Sequence, residues 1–160
     1  MSKAQFQTLF AYHWHTTCQL MAYAARLSEA EYKENPGYGH GSIHDLLFHL
    51  LRSATTWRLS LESGQQPTPL KIEDFPTRES LQTGFAAEQA AWEDYLSGLS
   101  EAGIDESMEL TNRRGETHLT PRWRALEHVV LHGMQHHSEL AQLLTAKGQS
   151  PGNIDFILYD

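Results

Sequence analysis

The stretch His128-Val129-Val130-Leu131-His132-Gly133-Met134-Gln135-His136-His137 contains four of the ten histidines of the chain. Three of them, His128, His132 and His136, repeat every four residues. On an α-helix, residues four apart are neighbours on one face, so this spacing places the three imidazoles side by side. Two imidazoles on adjacent turns can bind one metal ion from the same side. The stretch therefore predicts a helix that supplies part of a metal site.

The position of each histidine around this helix decides which of them can face a partner helix. The apolar arc of the helix, at about 100° per residue, consists of Trp123, Leu126, Val130, Met134, Leu140 and Leu144. His136 lies nearest this arc, His132 comes next, and His128 leans furthest towards the polar side. A metal between helices needs ligands at the core boundary. We therefore choose His132 and His136 as ligands and expect His128 to be exposed or to support a ligand from outside.

The composition limits the kinds of function that are open to the chain. Its 160 residues suit one globular domain over 1–160, and a net charge of −8 argues against nonspecific binding to nucleic acid or to an anionic membrane. The single cysteine, Cys18, excludes an intrachain disulfide and a cysteine-based zinc site. The N-terminus lacks a signal-peptide pattern, and no apolar run approaches about 20 residues. We expect a cytoplasmic protein whose metal ligands are histidines and carboxylates.

Four segments have helical periodicity, at 3–27, 42–63, 77–99 and 120–147. Ser42 with Asp45 resembles a capping box, Thr120 and Pro121 resemble an N-cap and first helical residue, and Gly148 is a suitable C-terminal stop. The segment 108–119 predicts a small β-hairpin or an extended excursion before helix four. The apolar tail 154–159 is expected to dock on the bundle. The pattern predicts an all-α four-helix bundle, whose interior is a usual place for metal sites.

A third metal ligand has to come from another helix. His49 and His44 lie on opposite flanks of the apolar face of helix two, and periodicity alone does not choose between them. His13 falls on the buried stripe of helix one, where we expect a core histidine rather than a ligand. Four histidines are expected on the surface: His40, His44, His118 and His137. Histidines four apart also occur by chance on solvated helix faces.

Three segments of the chain resemble the DinB/YfiT-like family of metal-binding four-helix bundles: Ser42–Leu50, Leu126–Leu140 and Ala146–Asp155. They occur in the family's order and span nearly the whole chain. The resemblance implies an up-down-down-up bundle, a homodimer, and a divalent metal ion, zinc or nickel, bound by His49, His132 and His136. The family shares its name with an unrelated DNA polymerase, and no polymerase function is implied.

The resemblance also implies a chemistry for the site. Three neutral imidazoles leave a divalent ion its full charge and an open position, which suits activation of water or of a thiolate. Family members use low-molecular-weight thiols, so we expect a thiol-dependent transferase that acts on a small-molecule substrate. The alternatives are a metal-dependent hydrolase, a non-catalytic metal-containing stress-response or binding protein, and a bundle that merely collects metal during purification.

The segment after the last predicted ligand departs from the family pattern. Many members continue with Arg-Gly-Gln, whereas this chain has His137-Ser138-Glu139. Glu139 lies on the same side of the helix as the predicted ligands, and we interpret it as a surface carboxylate rather than as an outer partner of the metal site. His13, His128 and Glu139 are the candidates for a general base.

Overall fold

The computed structural model describes residues 1–112 and 114–159. Within these ranges the chain forms six α-helices and one antiparallel hairpin. The helices are α1 Lys3–Ala24, α2 Glu29–Lys33, α3 Ile43–Ser63, α4 Arg78–Gly98, α5 Glu101–Asp105 and α6 Arg122–Ala146, and the strands are β1 Ser107–Thr111 and β2 Thr117–Pro121. The predicted four long helices and hairpin are confirmed. The five-residue helices α2 and α5 were not predicted, because one turn is too short to show a period.

Helix α4 runs antiparallel to α1. Lys3 at the start of α1 donates through Nζ to the carbonyl of Ser97 near the end of α4, at 2.6 Å. Arg78 at the start of α4 donates to the carbonyl of Ser28, just beyond the end of α1, at 3.0 Å. The two helices therefore lie side by side with opposite directions.

Helix α3 is parallel to α4 and antiparallel to α6. A Cβ on Gly84 of α4 would lie 2.7 Å from Leu51 of α3, and further along both helices Arg58 bonds to Glu88. Along α3 and α6 the contacts run in opposite directions of the chain, since His49 faces His132 and the later Trp57 faces the earlier His128. On the other side, α1 and α6 are parallel, because Thr17 bonds to His137 and His13 lies against Gly133. The predicted up-down-down-up bundle is confirmed.

The ends of the long helices follow the predicted local signals in two places. Ser42 Oγ accepts from the backbone N–H of Asp45 at 3.1 Å, and the Ser42 N–H donates to the Asp45 carboxylate at 2.9 Å, which confirms the capping box of α3. Gly148 has φ +74°, and the next N–H, of Gln149, donates to the carbonyl of Leu144 at 2.9 Å. This left-handed residue ends α6, as predicted.

The predicted start of helix four is wrong. Thr120 and Pro121 belong to β2, and α6 begins at Arg122 with no side-chain cap. Thr120 pairs with Met108 across the hairpin, and the N–H of Arg122 donates to the carbonyl of Glu106 at 2.9 Å. Strand pairing with a distant segment therefore takes the place of the local cap.

The core fills the space between the four long helices. Its largest fully buried side chains include Trp92, Tyr32, Phe6, Phe10, Leu46 and Leu126. Trp14 and Trp92 are core residues, whereas Trp57 and Trp123 are only partly buried and pack at its edge. In the described ranges, no helix combines the length and the apolar character required to cross a bilayer.

The C-terminal tail lies on α1, as predicted. Tyr12 donates its hydroxyl to the carbonyl of Ile154, and Gln19 donates to the carbonyl of Pro151 at 3.0 Å. The ring of Phe156 meets that of Tyr12 edge-on at 5.1 Å, whereas Ile157 and Leu158 are 87% and 65% exposed. Hydrogen bonds to the tail backbone and this aromatic contact therefore position the segment.

Candidate metal centre

Three predicted ligands lie at the contact between α3 and α6. Nε2 of His132 is 3.3 Å from Nε2 of His49 and 3.1 Å from Nε2 of His136. His132 and His136 reach this point because they are one turn apart on α6, and His49 reaches it because α3 crosses α6 at that level. The structure thus brings together the three residues that the sequence and the family resemblance predict, although their role as ligands stays a prediction.

The spacing of these nitrogens suits one small divalent ion. Imidazole nitrogens lie about 2.0–2.1 Å from zinc, so two nitrogens in a tetrahedral arrangement are about 3.3 Å apart. The observed separations of 3.1 and 3.3 Å match that value. Three nitrogens at this distance cannot all donate to one another, and at least one lone pair faces the cluster centre. The donor set and its spacing therefore fit a divalent metal.

Glu139 determines which nitrogen of His136 can bind a metal. Its Oε2 lies 2.8 Å from Nδ1 of His136, so a neutral His136 keeps its proton on Nδ1 and turns the lone pair of Nε2 towards His132. A carboxylate behind a histidine is the usual outer partner of a zinc ligand. Our interpretation of Glu139 as a simple surface carboxylate is therefore wrong, because its side chain is bonded to a buried imidazole.

Burial favours the neutral form of two of the clustered histidines, His49 and His132. Loss of solvent, together with the neighbouring His40, His136 and His132, lowers the pKa of His49 to about 3. Burial and the nearby His136 and His128 lower the pKa of His132 to about 4. Neutral imidazole is the form that binds metal, so at neutral pH these two rings are ready to do so without releasing a proton.

A fourth histidine, His40, joins the cluster from the loop before α3. Its ring stacks on His49 with centroids 3.9 Å apart, and it meets His136 edge-on at 4.8 Å. One nitrogen from each of His40, His49 and His136 lies within 4.8 Å of the others. His40 is exposed, as predicted for a surface residue, but its place in the cluster was missed. Helical periodicity gives no information about the position of a residue in a glycine-rich loop.

The other histidines divide between surface and core. His128 and His118 are exposed, as expected, and His13 is buried, also as expected. The surface predictions for His44 and His137 are wrong. His44 is buried with Nδ1 3.3 Å from the hydroxyl of Tyr32, away from the cluster, because short helix α2 covers it.

His137 is fully buried between α6 and α1. Its Nε2 lies 2.8 Å from Oγ1 of Thr17, and its ring stacks on His13 with centroids 4.9 Å apart. The gap that holds this pair exists because residue 133 is a glycine, since a Cβ there would lie 2.3 Å from Nδ1 of His13. The sequence contained a signal for this buried pair, because Gly133 is a glycine on the core-facing side of a helix, near its middle.

A cavity of about 310 Å³ opens beside the cluster, between α3 and the hairpin. Ser53 links the two, because it lines the cavity and its Oγ lies 3.5 Å from Nδ1 of His132. Among the described residues, the lining consists of hydroxyl and amide side chains together with His118, Trp57 and Leu110. Such a lining suits a small polar molecule.

The fold and the histidine cluster together define a helical bundle with an interhelical site that can hold a divalent metal. The sequence matches the model of the DinB family over residues 1–160. The chain belongs to the DinB family. No curated protein matches the sequence.

Among solved structures, the chain is similar to a DinB-like protein, YjoA, from Bacillus subtilis. The two share 19% sequence identity and superpose with a TM-score of 0.69. The match covers 91% of this chain and 94% of the other. At this identity the likeness establishes the shared fold.

Proposed function

We propose that the chain is a metal-dependent enzyme of the DinB family that binds one divalent ion, zinc or nickel, through His49, His132 and His136. The observation that carries the proposal is the convergence of the three Nε2 atoms at 3.1 and 3.3 Å across two helices. Glu139 behind His136 supports it, because it leaves the Nε2 lone pair free for a ligand bond.

The reaction we propose is transfer of a small thiol to an electrophilic carbon. A divalent ion held by His49, His132 and His136 would lower the pKa of a thiol bound to it. The sulfur then forms a bond to carbon, the leaving group departs with the electrons of the bond that breaks, and the thiol proton passes to solvent. The cavity beside Ser53 and Trp57 supports a small-molecule substrate, since it lies within reach of His132 and offers uncharged polar groups.

Metal analysis tests the first half of the proposal. Untagged protein, purified without metal columns, should contain about one zinc or nickel ion per chain. His49→Ala and His132→Ala should lose it while their far-ultraviolet circular dichroism stays unchanged. His15→Ala is the matched control, because His15 is an exposed histidine on α1 that stacks on Tyr159, at the tail. Metal-free wild type with a chelator-insensitive melting temperature would support adventitious binding instead.

An activity assay tests the second half. Protein loaded with zinc or nickel is incubated with a panel of small thiols and an alkyl or aryl halide, and halide release is measured. We expect turnover in the wild type and in His15→Ala, and none in His132→Ala. Stoichiometric metal without turnover for any thiol would favour the non-catalytic binding protein, and release of ester or amide products without thiol would favour the hydrolase.

We also propose that the chain forms a homodimer. The side chains of Leu131, Ile157 and Leu158 support a protein contact, since they are 61%, 87% and 65% exposed although apolar. Sedimentation equilibrium of the wild type should give twice the monomer mass. If the tail is in the contact, Ile157→Ser should shift the equilibrium towards monomer, and a monomeric wild type contradicts the proposal.

A further inference from the structure

His40 lies where a fourth ligand of the cluster would lie. One of its nitrogens is within 4.8 Å of a nitrogen of His49 and of His136, and the same two residues approach His132 at 3.3 and 3.1 Å. His40 thus brings an imidazole from a loop to a cluster whose other three imidazoles come from helices. An exposed histidine would ordinarily turn to solvent, but this ring instead stacks at 3.9 Å on His49.

The loop that carries His40 is a glycine-rich turn. Immediately after His40, Gly41 has φ +91°, and a Cβ there would lie 2.8 Å from the Asp45 carboxylate, which also caps α3. Before it, Gly39 has φ +64°, and the Gly41 N–H donates to the carbonyl of Tyr38 at 3.3 Å, which closes the turn around Gly39 and His40. Glycine on both sides lets this short turn present His40 at the mouth of the site, outside the helices that carry the other three histidines.

We propose that His40 is a fourth, exchangeable ligand of the divalent ion, so that the resting site is closed by four imidazoles and opens when the Gly39–Gly41 loop swings away. Structural zinc sites have four protein ligands, whereas catalytic sites have three and an open position. A ligand on a loop next to three ligands on helices allows one site to change between these two states. The inference rests on the proposed metal binding at His49, His132 and His136.

Cobalt(II) spectroscopy tests the proposal, because the visible bands of cobalt respond to the number and kind of ligands. Untagged, metal-free protein is titrated with Co²⁺ as wild type, His40→Ala and the control His15→Ala. In His40→Ala we expect a changed visible spectrum and an affinity that is weaker by at least roughly tenfold, since loss of even an outer partner of a ligand costs about that much. His15→Ala should match the wild type.

Free imidazole provides a second readout that a merely structural role would not affect. Added to Co²⁺-loaded His40→Ala, it should enter the vacated position and restore the wild-type spectrum, whereas in the wild type it should change the spectrum little. A substitution at Gly39 should act in the same direction as His40→Ala but less strongly, because Gly39→Ala restricts a left-handed backbone (φ +64°) without removing the ring.

The outcomes separate this inference from the proposed function. Wild type that binds Co²⁺ together with an identical spectrum and affinity in His40→Ala would overturn the role of His40 and leave the three-histidine site intact. Wild type that binds no Co²⁺, with His49→Ala equally inert, would overturn both. His40 is exposed in a loop, so its replacement leaves the core unchanged.

Discussion

Glu139 illustrates how much one side chain outside the cluster can matter to it. Its Oε2 lies 2.8 Å from Nδ1 of His136 and accepts the hydrogen bond from that nitrogen. This bond orients the ring and makes Nε2 a stronger metal ligand. We predict that Glu139→Gln weakens zinc binding by about 10–100-fold without changing the fold. A competition titration against a chromophoric chelator measures the affinity.

The control for this substitution is Glu93→Gln, which removes an exposed carboxylate from α4. It should leave the zinc affinity unchanged. Equal affinities for wild type and Glu139→Gln would show that the ring of His136 is oriented by packing alone.

Gly133 and His13 form a second residue-scale test. A Cβ at position 133 would lie 2.3 Å from Nδ1 of His13, so Gly133→Ala should destabilise the protein by about 1–3 kcal/mol through overpacking. In a His13→Ala background the clash disappears, and the same Gly133→Ala should stabilise by up to about 1 kcal/mol because alanine favours a helix. Urea denaturation of the wild type, the two single variants and the double variant completes a double-mutant cycle. Additive changes in the free energy of unfolding would contradict the contact between residue 133 and His13.

The residue-scale predictions from sequence succeeded where burial depends on angle around one helix. His136 is 2% exposed, His132 is intermediate and His128 is exposed, in the order that the 100° period requires. The surface predictions failed for His44 and His137, and the place of His40 in the cluster was missed. The position of His40 depends on loop backbone angles, and that of His137 depends on a gap between two helices, and neither is a property of a single periodic segment.

At the scale of elements, one ion pair joins α3 to α4. Arg58 donates through Nε and Nη2 to the two oxygens of Glu88, at 2.7 and 2.9 Å, and both side chains are nearly buried. We predict that Glu88→Ala lowers the free energy of unfolding by about 3 kcal/mol, because it removes the buried, bidentate partner of the Arg58 guanidinium. Urea denaturation measures the change.

Glu62→Ala is the matched control, since Glu62 bonds to the same Arg58 at 3.0 Å but is 39% exposed. Its removal should cost less than about 1 kcal/mol. If both substitutions lower the free energy of unfolding by the same amount, burial does not determine the strength of the Arg58–Glu88 ion pair.

Whether a helix end could be predicted depended on how local its cause is. The capping box of Ser42 with Asp45 and the left-handed Gly148 act within four residues, and both were predicted. The start of α6 was not, because Thr120 pairs with Met108 in the hairpin. The sequence pattern predicted a hairpin over 108–119 but not that its second strand extends through Thr120 and Pro121. The four long helices, each with its own apolar face, could be predicted from periodicity.

For the whole molecule, acid should unfold the metal-free protein early. Burial lowers the pKa of His13 to about 4, that of His49 to about 3 and that of His132 to about 4. In the unfolded chain these groups titrate near about 6.5. Between these values the unfolded state binds protons that the folded state does not, so the stability present above about pH 6.5 is lost as the pH falls towards 4.

The measurement is the urea midpoint of metal-free protein at intervals from pH 7.5 to 4.5, and it should fall steadily below about pH 6.5. With zinc bound the fall should be steeper, since protons and metal then compete for the same nitrogens. A midpoint that is independent of pH over this range would show that these histidines are solvated in the folded protein.

The parallel course of α3 and α4 sets a minimum length for the chain between them. After α3 ends at Ser63, residues 64–77 have to return along the bundle before α4 starts at Arg78. A helix the length of α3 is about 31 Å long, and an extended chain covers about 3.3 Å per residue, so roughly ten residues are the least that can make this return. This connection can therefore lose only a few residues and still span the length of α3. Shortening it further would force α4 to reverse its direction.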